Sequence, residues 1–302
     1  MNEVAAIVIN RNTEDYLREC LASLEAQEFS GGISIWVVDN GSRDGSAGMV
    51  LSHFPAVNLL WNTRNLGYSR AANQGIEKTY EPYVLVLNSD TVLSTDTVSR
   101  VVEFLEKNPR SGVVGPRLLN PDGTLQFSCR EFPTVKEAFF HAFIGLFKAE
   151  NTHSARYKKT DWDHLDEAEV DWVSGAFMAL RREAVETVGG FDEKYFMYVE
   201  DVDLCWRVWR GGWTVNFLPR GDVMHHVGQS SSGASTRMMF QHHKSMLRFH
   251  RKTYRGPMRF LMNTAVFLGI AARFLLIVAL NLFYRVRAAL GGRGRVIMPG
   301  RQ

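Results

Sequence analysis

Three apolar runs near the start of the chain each deliver a polar side chain at the end. Val4–Asn10 closes on Asn10, Ile33–Asp39 on Asp39, and Tyr83–Asn88 on Asn88 with Ser89 and Asp90 directly behind it. Unbroken Val/Ile/Leu runs of this length read as strands buried on both faces, the signature of a parallel sheet. Val57–Trp61 and Gly112–Leu118 extend the series, and segments of helical period lie between the runs, near Glu14–Gln27, Ser69–Thr79 and Thr95–Asn108. Such alternation predicts an α/β fold with a mostly parallel central sheet. Ligands in these sheets sit beyond the carboxyl ends of the strands, so the chemistry is sought in the residues that follow each run.

The first strand-like run begins at Val4 with no basic segment or small-residue cleavage site before it, which reads as a buried strand rather than a signal peptide. The catalytic part is therefore expected in the cytoplasm. Cys20, Cys129 and Cys205 are widely spaced and form neither a disulfide framework nor a zinc pattern. Charge is distributed unevenly. After Asp222 the chain carries 13 Lys or Arg and no acidic residue, which leaves 22 basic against 32 acidic residues in 1–222. A basic tail on an acidic body points to an anionic partner, either a membrane surface or nucleic acid. Residues 121–170, with an aromatic patch (Phe139, Phe140, Phe143, Phe147) and a polar stretch from Glu150 to Glu169, read as an insertion that covers the active site.

The residues after the strands can be weighed one segment at a time. Asp39-Asn40-Gly41-Ser42 offers an acceptor for a nucleobase or ribose together with turn geometry, although the same residues also make a plain capping turn. In Arg64-Asn65-Leu66-Gly67-Tyr68-Ser69-Arg70, Gly67 allows a sharp turn and Ser69 can cap the next helix. Two arginines flank a helix N-terminus suited to a diphosphate. Asn88-Ser89-Asp90 places a hard oxygen ligand at the crevice, and Mg²⁺ or Mn²⁺ takes few such ligands from protein. Glu200, Asp201 and Asp203 crowd three carboxylates into four residues, where Asp203 and Arg207 can pair across a helical turn. With Leu204 and Val208 on the core face, Glu200, Asp201 or both point into the crevice, where a carboxylate can deprotonate an acceptor hydroxyl. Of the adjacent His225 and His226, an extended backbone lets at most one enter the site.

Taken in order, these segments resemble the family 2 glycosyltransferases with a GT-A fold, and within them a bacterial rhamnosyltransferase-like branch. The motifs are Val-Val-Asp-Asn-Gly-Ser (37–42), Asn-Leu-Gly-Tyr (65–68) with Ala-Ala-Asn-Gln-Gly (71–75), Leu-Asn-Ser-Asp (87–90), Gly-Gly-Phe-Asp-Glu (189–193) with Glu-Asp-Val-Asp-Leu (200–204), and His-His-Val-Gly-Gln-Ser (225–230). The resemblance implies a GT-A domain over 1–230, with a nucleotide-sugar-binding half (1–120) and an acceptor and catalytic half (121–230). A basic, apolar, membrane-associating helical region follows over 231–302. It further implies that Asp39, Asn40, Arg64, Asn65, Gly67, Asn73, Asn88 and Ser89 bind the nucleotide sugar. Asp90 and His225 would hold Mg²⁺ or Mn²⁺, the first carboxylate of the Asp-X-Asp pattern being Asn88 here. Asp201 would be the base supporting an inverting transfer, with Glu200 assisting, and Trp172, Ser174, Gly175, Asp203 and Arg207 would border a glycan or lipid-linked acceptor.

Phe260–Tyr284 is apolar except for Arg273 near its middle, with basic residues on both sides. Its length suits a membrane span, but a mid-bilayer arginine is costly, so an in-plane helix at the cytoplasmic face with Arg273 among headgroups is expected. A buried helix or an oligomer contact is the other possibility, and nucleic acid has no use for the apolar run. Three rival functions fit less well. A nucleotidyltransferase needs a Gly-rich phosphate loop where this chain has Asn10-Arg11-Asn12-Thr13, a non-catalytic scaffold has no need of Asp39, Asp90 and Asp201, and a processive synthase carries several spanning helices.

Overall fold

The computed structural model describes residues 3–132, 162–226, 236–256 and 258–289. Phe139, Phe140, Phe143 and Phe147, the polar stretch from Glu150 as far as Asp161, and Gly228, Gln229 and Ser230 lie outside the described residues.

The elements follow the expected alternation: β1 (Val4–Asn10), α1 (Glu14–Glu25), β2 (Ile33–Asp39), α2 (Ser46–His53), β3 (Asn58–Trp61), α3 (Tyr68–Glu77), β4 (Tyr83–Asn88), β5 (Thr91–Leu93), α4 (Thr97–Lys107) and β6 (Ser111–Leu119). There follow β7 (Leu125–Gln126), β8 (Cys129–Arg130), β9 (Ala168–Glu169), β10 (Trp172–Val173), β11 (Phe177–Arg181), α5 (Arg182–Val188), α6 (Glu200–Arg210) and β12 (Thr214–His225). The main sheet runs β3-β2-β1-β4-β11-β6-β12-β5. Its first four strands are parallel, with Asn10 level with Asp39 and Ile9 level with Asn88. Thus β1, β2 and β4 end together, and their polar tips form one edge. Strand β11 then lies antiparallel between β4 and β6. Its Phe177, Met178, Ala179 and Leu180 are all buried, which closes the gap between the two halves of the sheet. The strand β12 returns parallel to β6 and carries His225 to the same sheet margin, opposite Thr91 of β5.

Leu17, Leu21 and Leu24 of α1 pack with Val37, Leu85 and Leu87 from the sheet in one core cluster. Full burial of such side chains contributes about 2 kcal/mol each. On the other side, Gly75 of α3 sits where a Cβ would come within 2.4 Å of Ile7 Cγ2. A glycine inside a helix ordinarily costs about 1 kcal/mol relative to alanine, and the close approach to β1 explains its presence.

The chain divides into two compact units: residues 1–132, 158–196 and 200–232 in the first, and 133–157, 197–199 and 233–302 in the second. The described part of the second contains α7 (Thr236–Thr253) and α8 (Arg259–Ala289), which pack on one another. Ser245 of α7 donates a hydrogen bond to the Met197 carbonyl, and the Tyr198 and His242 rings meet edge to face. Among the described residues, Arg259–Leu282 is the one helix long and apolar enough to cross a membrane. Arg273, expected among headgroups, is instead buried, and its Nε has no hydrogen-bond partner.

Gly75→Ala is expected to destabilise the protein by about 1–3 kcal/mol through overpacking, despite alanine's better helix propensity. Urea unfolding of the variant checks this; a gain in stability would show that the α3–β1 approach is looser than described.

Candidate active site

The sheet edge first has to satisfy its own polar groups. Asn10 Nδ2 donates to Asp39 Oδ2 at 2.8 Å, and the Ser42 N–H donates to Asp39 Oδ1 at 2.9 Å. Thr13 Oγ1 donates to Asn10 Oδ1, so at the 2.7 Å contact between Thr13 and Ser89 the serine hydroxyl is the donor. Asp39 and Ser89 are fully enclosed by this network. They fix the strand tips and the 39–42 turn, and Ser89 is thereby shut away from a ligand.

Asn40 performs the same service one loop further on. Its amide donates to Asn65 Oδ1 and the Gly67 carbonyl, and its oxygen accepts from the Leu66 N–H. Gly67 has φ +91, and a Cβ there would come within 2.6 Å of the Phe196 carbonyl oxygen. Only glycine suits this turn. Helix α3 therefore begins at Tyr68 with Gly67 as its cap; Ser69, expected to cap it, lies buried in the first turn. Arg64 is exposed beside the turn. Asn73 exchanges hydrogen bonds with both backbone groups of Phe191, so tying α3 to the Gly-Gly-Phe-Asp-Glu loop.

Asp90 and His225 come together where β4 and β12 end. Asp90 is almost fully buried, its Oδ1 has no hydrogen-bond partner, and His225 Nε2 stands 3.4 Å from it. The histidine is oriented from behind. Gln126 Nε2 donates to Asn120 Oδ1, which turns Gln126 Oε1 towards His225 Nδ1 at 2.8 Å. With Nδ1 carrying the proton, Nε2 presents its lone pair towards the orphaned carboxylate oxygen. Two electron-rich atoms facing each other in a buried place is the arrangement a cation resolves, and oxygen plus imidazole suits Mn²⁺ or Mg²⁺. Among the described residues no third His, Cys, Asp or Glu joins them. A cation held here would take its remaining ligands from non-protein groups such as phosphate oxygens and water. His226 turns the other way, its ring 4.9 Å from that of Tyr16.

The second focus is the start of α6. Val199, just before it, has φ +69, a costly conformation for a β-branched residue and the kind of strain that marks functional sites. Asp201 Oδ2 accepts from the Gly175 N–H at 2.9 Å, and Oδ1 accepts from the Val202 N–H at 2.8 Å. Burial raises the Asp201 pKa, while these N–H groups and the charge of Arg130 oppose the rise. Glu200 is buried with Oε2 unpartnered; burial and then the neighbouring Asp201 charge push its pKa well up. Tyr68 donates to the Gly175 carbonyl at 2.7 Å, so Gly175 is clamped by the phenol on one side and the carboxylate on the other. The Tyr68 pKa is raised by burial and then by the charges of Glu200, Asp201 and Asp90.

Other expected residues have structural duties. Trp172 is mostly buried, donates from Nε1 to the Glu131 carbonyl and lies under Arg130, while Ser174 bonds the Ser128 carbonyl beside Gly175. Asp203 is fully buried between Tyr195 and Arg207, and Arg207 reaches on to the Val188 carbonyl. Asp203 is closed off by this pairing, while Arg207 remains partly exposed. Asn88 uses its backbone on Ala176 and Thr91. Sequence reasoning gave no role to Tyr68, although it closes the Asn-Leu-Gly-Tyr motif, nor to Gln126 and Arg130, which lie in none of the motifs.

The geometry agrees with what comparison with known proteins finds. Residues 5–189 match Glycosyl transferase family 2. The N-acetylglucosaminyl-diphospho-decaprenol L-rhamnosyltransferase of Mycobacterium tuberculosis is 32% identical over 87% of this chain and 90% of its own length. Rhamnosyltransferase WbbL of Escherichia coli is 24% identical over 82% of this chain and 92% of its own. Among solved structures, the mannosyltransferase PcManGT of Pyrobaculum calidifontis, in complex with GDP-Man and Mn²⁺, superposes with a TM-score of 0.55 at 17% identity, covering 96% of this chain and 76% of that one. TarS of S. aureus matches with a TM-score of 0.56 at 16% identity, covering 90% of this chain, which spans 43% of TarS. The chain belongs to glycosyl transferase family 2 and is a glycosyltransferase with a GT-A-like fold.

Proposed function

We propose that the protein transfers rhamnose, with inversion, from a nucleoside-diphosphate donor to a hydroxyl of a lipid-linked glycan at the cytoplasmic face of a membrane. The two rhamnosyltransferase relatives support the sugar, and the acceptor named for the mycobacterial enzyme supports the lipid linkage. The observation that carries the chemistry is the Asp201 carboxylate at the start of α6, held by the Gly175 and Val202 N–H groups.

In this reading the 39–42 and 64–67 turns receive the nucleotide, with Arg64 alongside the diphosphate. Asp90 and His225 hold Mg²⁺ or Mn²⁺, which when bound neutralises charge on the departing diphosphate. Asp201, held as a carboxylate by two backbone N–H groups, takes the proton of the acceptor hydroxyl. The acceptor oxygen forms a bond to the anomeric carbon as the bond to the diphosphate oxygen breaks, and the electron pair leaves with the nucleoside diphosphate. Burial disfavours the charged form of Glu200, which makes it a poor covalent nucleophile and favours a single displacement and therefore inversion. The basic, apolar α8 supports work at an anionic membrane surface.

Asp201→Asn is expected to lower the transfer rate by about 10²–10⁴-fold while preserving nucleotide binding by calorimetry. Undiminished transfer would contradict the base assignment. Because the Asp201 pKa is raised, the working carboxylate is present above that pKa and lost as pH falls through it. The acid limb of the kcat/KM profile should therefore lie above the ordinary aspartate value of about 4. Gln126→Leu removes the acceptor that orients His225. It is expected to weaken Mn²⁺ binding, titrated in the presence of nucleoside diphosphate, by about 10–100-fold. Unchanged affinity would remove His225 from the metal site.

A further inference from the structure

The second unit contains a cleft of about 360 Å³ between its two helices, lined by Arg251 of α7 and by Arg259, Phe260, Asn263, Thr264 and Phe267 of α8. Neither α7 nor α8 carries an acidic side chain, so the two guanidinium groups have no carboxylate on these helices to neutralise them. Phe260 and Phe267 belong at once to the cleft and to an exposed apolar row that continues along α8. In that row Leu261, Leu268, Leu275 and Leu282, each at least 60% exposed, recur at intervals of seven residues and so stay on one side of the helix.

We propose that this cleft binds the phosphate headgroup of an anionic membrane lipid, with the lipid chains lying along the leucine row. The inference rests on the membrane-surface reading above and deepens it by assigning the headgroup a definite place. Guanidinium groups favour phosphate through charge-assisted, bidentate hydrogen bonds. A cationic cleft that opens directly onto an uncovered apolar row matches an amphiphile with an anionic head. Helix α8 then lies in the plane of the surface rather than across it.

The test is sedimentation of the full-length chain with phosphatidylcholine vesicles, with and without phosphatidylglycerol. Arg251→Ala with Arg259→Ala is compared with Lys244→Ala with Arg255→Ala, a pair that removes the same charge outside the cleft. A basic residue merely near an anionic surface adds about 1 kcal/mol, or about five-fold, so both pairs lose affinity. The cleft pair is expected to lose at least about ten-fold more. Dihexanoyl phosphatidic acid should raise the melting temperature of the wild type and the control pair but not of the cleft pair. Equal losses in the two pairs, with the wild type still bound to anionic vesicles, would overturn the cleft and leave the membrane reading standing. A wild type that sediments with neither vesicle would overturn both. A chain that instead dimerises through the leucine row, losing its dimer in Leu268→Glu, would assign that face to a second copy.

Discussion

Three strands buried on both faces end at one level, and the polar groups at their tips must find partners there or remain costly. A buried polar atom left without a hydrogen bond costs about 1–3 kcal/mol. Most of the edge solves this internally. Asn10, Thr13, Asp39, Ser42 and Ser89 bond to one another, while Asn40 and Asn65 bond the 65–67 turn. Against that background the exceptions stand out. Asp90 Oδ1 and Glu200 Oε2 are buried and unpartnered, and they lie where a metal–diphosphate and an acceptor are proposed to meet. The edge thus divides into atoms bonded to one another and atoms, at Asp90 and Glu200, to which the proposed site assigns its ligands.

This division also explains what could be read in the sequence. Strand tips are legible because an apolar run that stops on Asn or Asp has few other meanings, and the first four strands were placed to within a residue or so. Strand β11 was not, since Phe177–Arg181 is a short apolar run continuous with α5, and burial alone does not distinguish strand from helix at that length. The pairing of Asp203 with Arg207 is legible in their spacing, but the full burial of Asp203 is not. Sequence shows spacing; it does not show which way a pair faces. Gln126 and Tyr68 act across 99 and 107 positions respectively, on His225 and Gly175, distances over which no local pattern operates.

Helix α8 shows the same limit from another side. Composition along α8 marked it as apolar and basic, and Arg273 was expected to reach solvent-facing headgroups. The fold buries that arginine and leaves the leucine row and the Arg251–Arg259 cleft open instead. Net charge pointed to an anionic partner, and the arrangement of exposed side chains is the basis for the place proposed for it.

The most direct test of the account is the anomeric configuration of the product. A nucleoside-diphosphate rhamnose would be incubated with a prenyl-diphosphate-linked N-acetylglucosamine in the presence of Mn²⁺, and the new linkage analysed by NMR. A single displacement assisted by Asp201 gives a rhamnoside of inverted configuration and releases one nucleoside diphosphate for each sugar transferred. A product that retains the donor's configuration would contradict the mechanism, and a failure to transfer rhamnose, with another nucleotide sugar consumed instead, would contradict the assigned donor.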